Sequence, residues 1–325
     1  MKKVTVVGKL HQAGLDILYG HGGLEITEFT DPAVPVTRDK IIEADGLLIR
    51  TGNITEADIE HADRLRVVSR HGVGCDNVPV TALSARGIPV TIVGPVNAIS
   101  VAEQTISMML TLAKKVSEYD QAVRSGKWEF RNSLASAELA EKTLLLLGLG
   151  RIGGEVAKRA AAFDMNILVF DPYLSADAIK SAGATKIEDW RAVLGSLDLL
   201  SIHLPLGPET RNIIDAEVLA KMKPSAIVLN LARGGLVDEM ALFNELSTRM
   251  ASGGAGLDVF ETEPPSTDNP LFALPNVTLS PHSAAMSEES ARKMGVVSVL
   301  NVIAGLEGKL DPALIYNHRE LQEQG

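Results

Sequence analysis

The run from Thr143 to Ala157 constrains this chain more than any other: an apolar stretch, Thr143-Leu-Leu-Leu-Leu147, runs into Gly148-Leu-Gly150-Arg-Ile-Gly153 and then a helix-periodic segment. The pattern predicts a buried strand, a tight turn and a helix. At GxGxxG spacing the first glycine allows the turn, the second lets a pyrophosphate approach the backbone, and the third lets helix and strand pack closely. The helix N-terminus then offers N–H groups and partial positive charge to the anion. Glycines after a strand are often no more than a turn, so the flanking strand and helix carry the reading.

A second apolar run, Asn166-Ile-Leu-Val-Phe170, ends in Asp171, which lies 18 residues beyond Gly153. A dinucleotide-binding unit places there the acid that binds the ribose 2′-hydroxyl. A carboxylate repels a 2′-phosphate, and Pro172 and Tyr173 supply no guanidinium to hold one, so the expected cofactor is NAD. The alternative role for Asp171 is a helix N-cap.

Composition narrows the setting. The 325 residues allow one or two domains, and a chain rich in aliphatics with only 4% aromatics suits parallel sheets covered by helices. A net charge of −10 argues against nucleic acid as a partner. The single Cys75 excludes a disulfide framework and a multi-cysteine metal site, and no HExxH, HxxxH or GxSxG occurs. No stretch approaches the ~20 apolar residues of a membrane helix, and Val4–Val7 is too short for a signal core, so a cytoplasmic location is expected.

Before the glycine turn, Val4–Val7, Leu24–Phe29, Gly46–Ile49, Leu65–Ser69 and Ile88–Val93 alternate with helical segments, which implies a first parallel sheet. Polar loops follow two of these strands, Arg50-Thr-Gly-Asn53 and Arg70-His-Gly-Val-Gly-Cys-Asp-Asn77. Ligands gather at strand carboxyl ends, and Gly72 and Gly74 can free N–H groups for an anion; an ordinary glycine turn is the alternative. Pro95-Val-Asn97 reads as a hinge before a long helix from Ala98 to about Val123, ended by Ser125-Gly-Lys-Trp128. Trp128 suits packing or an interface.

After the glycine turn, strands Leu197–Ile202, Ala226–Leu229, Gly256–Phe260 and Val277–Ser280 lead into His203, Arg233, Glu263 and His282, and a helix from about Ser287 to Leu306 follows. The tail through Asn317 leaves too few residues in this sequence for a regulatory domain. Arg233 can meet a carboxylate with two parallel hydrogen bonds. His282 can exchange a proton near neutral pH, with Glu263 fixing its tautomer. Surface charge, loop acid and core histidine are the respective alternatives, and His203 and His71 compete for the proton-transfer role.

With these motifs in order, "RHGVGCDNV", "NAISVAEQTI", "LLGLGRIGGEVA", "HLPLGPETRNII", "LNLARGGLVDE", "GLDVFETEP" and "SPHSAA", the chain resembles the D-isomer-specific 2-hydroxyacid dehydrogenase family over nearly its whole length. The resemblance implies an α/β protein of two Rossmann-like parallel-sheet domains: a flavodoxin-like substrate domain of residues 1–97 plus about 290–325, and an NAD-binding Rossmann domain of residues 98–289. It further implies a site in the cleft between them, a C-terminal segment returning to the first domain, and a homodimer.

Carried over by motif, the resemblance gives Arg233, Glu263 and His282 as catalytic residues. Cofactor contacts fall on Gly148, Gly150, Arg151, Ile152, Gly153, Asp171, His203, Pro205, Thr210 and Asp258. Substrate contacts fall on Arg50, on Arg70 and His71, and on the N–H groups of Val73 and Gly74. The implied reaction is hydride transfer between nicotinamide and C2 of a small D-2-hydroxy or 2-oxo acid, with 3-phosphoglycerate, hydroxypyruvate and glyoxylate as candidates. Glu263 departs from the family's formate-oxidising branch, which has Gln there. Gly52 stands where some phosphoglycerate enzymes carry another arginine, and Arg131 could join the site from a partner subunit. The alternative function is an NAD(H)-binding corepressor-like module without significant turnover.

Overall fold

A computed structural model describes residues 1–31 and 36–323. The chain divides into two compact units, Met1–Asn97 with Met286–Gly325, and Ala98–Ala285.

The first unit is built on parallel strands β1 (Lys2–Val7), β2 (Leu24–Phe29), β3 (Gly46–Ile49), β4 (Val67–Arg70) and β5 (Val90–Thr91), in the spatial order β2-β1-β3-β4-β5. That is the flavodoxin-like order of a doubly wound sheet. Alternation along β3 sends Leu47 and Ile49 to one face, with Ile41, Ile59 and Leu83, and Leu48 to the other. There Val4, Val6 and Val67 meet Val299, Val302 and Leu306 of the helix Glu288–Glu307. This helix also crosses the helix Gln12–Gly20 closely: a Cβ on Gly14 would stand 2.7 Å from the carbonyl oxygen of Gly295. The tail fastens the edge strand, where buried Asn317 accepts from the Val90 N–H at 2.8 Å and donates to the Ile88 carbonyl at 3.0 Å.

The second unit carries β6 (Thr143–Leu147), β7 (Asn166–Phe170), β8 (Thr185–Lys186), β9 (Leu199–Ile202), β10 (Ile227–Asn230), β11 (Gly254–Leu257) and β12 (Val277–Leu279), all parallel, in the order β12-β11-β10-β9-β6-β7-β8. The winding reverses between β6 and β9, the switch point at which doubly wound sheets bind dinucleotides. Along β6, Leu144 and Leu146 enter one core layer and Leu145 and Leu147 the other, all four fully buried. Each such side chain contributes about 2 kcal/mol of burial. Unpaired polar groups would be costly at these depths, which is why a parallel central strand reads as a continuous apolar run.

The expected helix from Ala98 to Val123 is two. Ala98–Ala113 packs on the glycine-turn helix, Lys115 takes a left-handed φ of 54°, and Val116–Arg124 runs on separately. Adjacent Lys114 and Lys115 close the apolar stripe, and beyond them few residues are buried. The segment Trp128–Ser133 is a short 3-10 turn on the surface, with Trp128 61% and Leu134 85% exposed. Among the described residues no helix is long and apolar enough to cross a membrane.

Candidate active site

The glycine turn joins β6 to the helix Arg151–Ala161. Gly148 has φ +92°, and a Cβ there would meet the His203 carbonyl oxygen at 2.8 Å; one on Gly153 would meet the Gly148 carbonyl at 2.3 Å. No side chain caps the helix at Gly150, and the space a Cβ would occupy at Gly150 is open. An open helix N-terminus with nothing filling its approach is what a pyrophosphate needs. Arg151 and Ile152 form the first helical turn, Arg151 exposed and Ile152 packed on the core.

Asp171 closes β7 without capping a helix, since Ser175 caps the next one. Its carboxylate accepts from Leu149 N in the glycine turn at 3.0 Å and from Tyr173 N at 3.0 Å, which fixes it beside the turn with lone pairs to spare. This donor set fits NAD. On the other side of β6, the His203 imidazole lies against the turn with Nε2 3.0 Å from Ser201 Oγ. Burial pushes it down to about 4, so it is neutral at physiological pH and poorly suited to trade protons there. Pro205 and Thr210 belong to the loop that follows, where Thr210 Oγ1 accepts from Gly207 N at 2.8 Å and donates to the Pro205 carbonyl at 2.7 Å.

The carboxyl ends of β10, β11 and β12 carry Arg233, Glu263 and His282. Asn230, buried at the end of β10, shapes the first turn by donating to the Arg233 carbonyl at 2.8 Å and accepting from Ala232 N at 3.1 Å. Arg233 donates to the Ala232 carbonyl, and its charge reaches Glu263. Asp258 follows β11 with 1% exposure, and its carboxylate accepts from Ser280 Oγ, from Ser283 N at 2.8 Å and from Ala284 N at 3.0 Å. A buried carboxylate satisfied this way pins the His282 loop. The backbone N–H of His282 also donates to the Asp258 carbonyl at 2.7 Å, which helps hold His282 at φ 50°, a left-handed conformation costing an L-residue roughly 1–2 kcal/mol.

His282 Nδ1 lies 2.7 Å from Glu263 Oε2, while Glu263 Oε1 accepts from Phe260 N at 3.1 Å. Burial alone would raise the Glu263 carboxyl. The His282 hydrogen bond and charge, the Phe260 N–H and the Arg233 charge outweigh it, and the group sits below the ordinary carboxylate range. An ionised Glu263 directs a proton to Nδ1 and leaves Nε2 to exchange one. Asn230 and the loop-pinning use of Asp258 had one signal in sequence: a short polar residue directly after a buried apolar strand.

In the first unit, Arg50, Arg70 and His71 sit at the ends of β3 and β4. Arg70 folds back over Gly72 and donates to the carbonyls of Ile49 at 3.3 Å and His71 at 2.8 Å. Arg50 donates to the Lys9 carbonyl and, more weakly, to Met286 Sδ at 3.8 Å. Val73 and Gly74 are partly exposed in the loop that follows. A cavity of about 150 Å³ opens here, walled by Lys9, Leu10, His11, Arg50, His71 and Met286 among others. A larger hollow of about 460 Å³, at Met1, Lys2, Leu24 and Glu307, lies by the first residues of β1 and β2, the opposite strand ends from those that gather ligands in such sheets. Among the described residues no cluster of His, Cys, Asp or Glu could hold a metal.

Residues 106–284 match the description "D-isomer specific 2-hydroxyacid dehydrogenase, NAD binding domain". The chain is 39% identical over 315 residues to D-3-phosphoglycerate dehydrogenase of Methanocaldococcus jannaschii, covering 95% of this chain and 58% of that protein. It spans little more than half the length of the curated relatives it matches. Among solved structures, D-lactate dehydrogenase from Aquifex aeolicus complexed with NAD and lactic acid aligns with a TM-score of 0.84 at 28% identity, covering 94% of this chain and 96% of that one. The NADPH-dependent glyoxylate/hydroxypyruvate reductase of Sinorhizobium meliloti aligns with a TM-score of 0.79 at 29% identity, covering 94% of each chain. The glycine turn with its acid, the two doubly wound sheets and these likenesses together make the chain a member of the D-isomer-specific 2-hydroxyacid dehydrogenase family.

Proposed function

We propose that the protein is an NAD-dependent oxidoreductase that interconverts a small D-2-hydroxy acid and its 2-oxo acid. The observation that carries this reading is the His282–Glu263 pair, held on a loop pinned by Asp258, at the carboxyl ends of the same sheet whose switch point bears the glycine turn. When bound, the nicotinamide supplies or takes the hydride at C2. Arg233 polarises the C2 oxygen, and His282 Nε2 gives that oxygen a proton in reduction or removes it in oxidation. Glu263 keeps the imidazolium paired through the exchange. The N–H groups of Val73 and Gly74 take the substrate carboxylate, with Arg50 and His71 toward the rest of the molecule.

The substrate class includes 3-phosphoglycerate, hydroxypyruvate and glyoxylate, all three by analogy with the relatives' names. Against a phosphate grip by Arg70 stands its use of Nη1 on two backbone carbonyls. NADH consumption, followed by absorbance, with a panel of 2-oxo acids tests the reading. Turnover of at least one, giving the D-hydroxy acid, is expected, and binding of NADH with no turnover of any would refute it.

A homodimer is also proposed, through the surface around Val123, Trp128, Phe130 and Leu134, where apolar side chains stand exposed in one stretch of sequence. Arg131, 6.0 Å over the Trp128 ring, belongs to that surface. Sedimentation of the wild type and of Leu134→Glu decides it: a dimer that the charge dissociates is expected, and a monomeric wild type rules it out. The one cysteine, buried Cys75, accords with a cytoplasmic setting.

A further inference from the structure

His71 is 5% exposed, and its Nε2 is buried without a hydrogen-bond partner. A buried polar atom left unpaired is costly, so one that persists needs an explanation. His71 forms a wall of the cavity of about 150 Å³ at the ends of β1, β3 and β4, together with Lys9, Leu10, Arg50, Met286 and others. Its ring contacts its own backbone carbonyl, which only Nδ1 can reach, so Nδ1 carries the proton and Nε2 a lone pair. Burial, then the charges of Arg50 and Arg70, push the imidazole down to about 4 and keep that lone pair bare.

The other polar walls have different commitments. His11 is occupied, its Nδ1 accepting from Ala13 N at 3.1 Å and its Nε2 2.7 Å from Glu288. Arg50 spends part of its fork on the Lys9 carbonyl and keeps further N–H groups. An acceptor and a donor therefore border one small space whose other walls are the apolar Leu10, Met286 and Ala291, the occupied His11 and, at its exposed rim, Lys9. A hydroxyl both donates and accepts, and a methylene next to it suits the apolar walls. A phosphate would satisfy Arg50 but confront the His71 lone pair.

Resting on the proposed oxidoreductase reading, we propose that this cavity is the subsite for the substrate's third carbon and selects a hydroxymethyl group. His71 Nε2 accepts from its hydroxyl, and Arg50 donates to the hydroxyl oxygen. His71 is then a specificity-determining residue, and the preferred substrates are 3-hydroxy-2-oxo acids rather than their phosphate esters or 3-deoxy analogues.

The test compares kcat/KM for hydroxypyruvate, pyruvate and 3-phosphohydroxypyruvate in the wild type, His71→Leu and His71→Gln, with folding checked by circular dichroism and NADH binding. In the wild type, hydroxypyruvate should exceed pyruvate by about 10- to 100-fold, or about 1.4 to 2.7 kcal/mol at roughly 1.36 kcal/mol per factor of ten. The ratio should fall about tenfold in His71→Leu and stay within roughly threefold of wild type in His71→Gln, which keeps an acceptor. An unchanged ratio in folded His71→Leu overturns the subsite, as does a preference of the wild type for the phosphorylated acid. If His71→Leu does not fold, a wild-type ratio near one overturns it and a high ratio kept by His71→Gln supports it. Failure to reduce any 2-oxo acid instead removes the dehydrogenase reading and the subsite with it.

Discussion

Two loops, each at the end of a parallel strand, show how one fastening problem solved with opposite charges prepares a histidine for opposite work. In the second unit a buried carboxylate, Asp258, draws in the Ser280 hydroxyl and the N–H groups of Ser283 and Ala284, and His282, between Ser280 and Ser283, is left to pair with Glu263. In the first unit a guanidinium, Arg70, holds the carbonyls of Ile49 and His71, and His71 lies buried beside positive charge. A carboxylate partner suits an imidazole to carry a proton, whereas cationic neighbours strip it of one and leave a fixed acceptor. Position at a strand end therefore does not settle a histidine's role; the charge that holds its loop does.

The sharpest way to break this contrast is His282→Ala, which should lower kcat by a factor of about 100 or more while NADH binding persists. Near-normal turnover would return the proton role to another group. Arg233→Lys keeps the charge and loses the planar fork, so kcat/KM should fall about tenfold or more. An unaltered value would remove Arg233 from the reacting oxygen. On the other side of the comparison, Arg70→Met should loosen the Val73–Gly74 loop and act mainly on KM, raising it by roughly tenfold. A loss confined to kcat would show that the first loop shares in the chemistry.

Asp171→Ala touches neither loop and serves as their control: it should narrow the NADH-over-NADPH preference by about tenfold, the value of one charge-assisted hydrogen bond. The smallest effect is on acid stability. The His71 pKa is depressed from 6.5 to about 4 in the fold, so the unfolded chain binds the extra proton first as pH drops. Stability from this residue is whole above pH 6.5 and is lost as pH falls toward 4, by at most about 1.4 kcal/mol per unit. Melting curves of the wild type between pH 7 and 4.5 should therefore fall more steeply than those of His71→Gln. Parallel curves would mean that His71 titrates normally.

The glycine turn, Asp171 and most strands were legible because each is a local pattern: an apolar run of strand length, glycines at fixed spacing, an acid at fixed distance. The break at Lys115 was not, since Val116, Tyr119 and Val123 follow the two lysines in sequence, and only the fold shows that little beyond them is buried. Arg233, Glu263 and His282 could be picked out as polar residues after buried strands, with Glu263 as a carboxylate partner for His282, but the Asp258 clamp could not, because it joins segments 25 and 26 residues apart. Arg70 read as a ligand-gripping cation, whereas its guanidinium is turned onto backbone carbonyls, a commitment set by the fold around Gly72.

The discontinuity of the first unit bears on the order of events during synthesis. The first 97 residues leave the ribosome with all five strands of their sheet, yet one face of that sheet has its cover, Val299, Val302 and Leu306, in a helix still to be made. Residues 98–285 intervene, and at about 5–20 residues per second they keep that face waiting for roughly 10–40 seconds. The intervening unit is continuous in sequence and can close on its own core meanwhile. A chain stalled before Glu288 should accordingly present a finished nucleotide-binding half and a valine face covered only in part, by Leu18 and its neighbours in the helix Gln12–Gly20, which makes the nascent first unit the segment most in need of a chaperone.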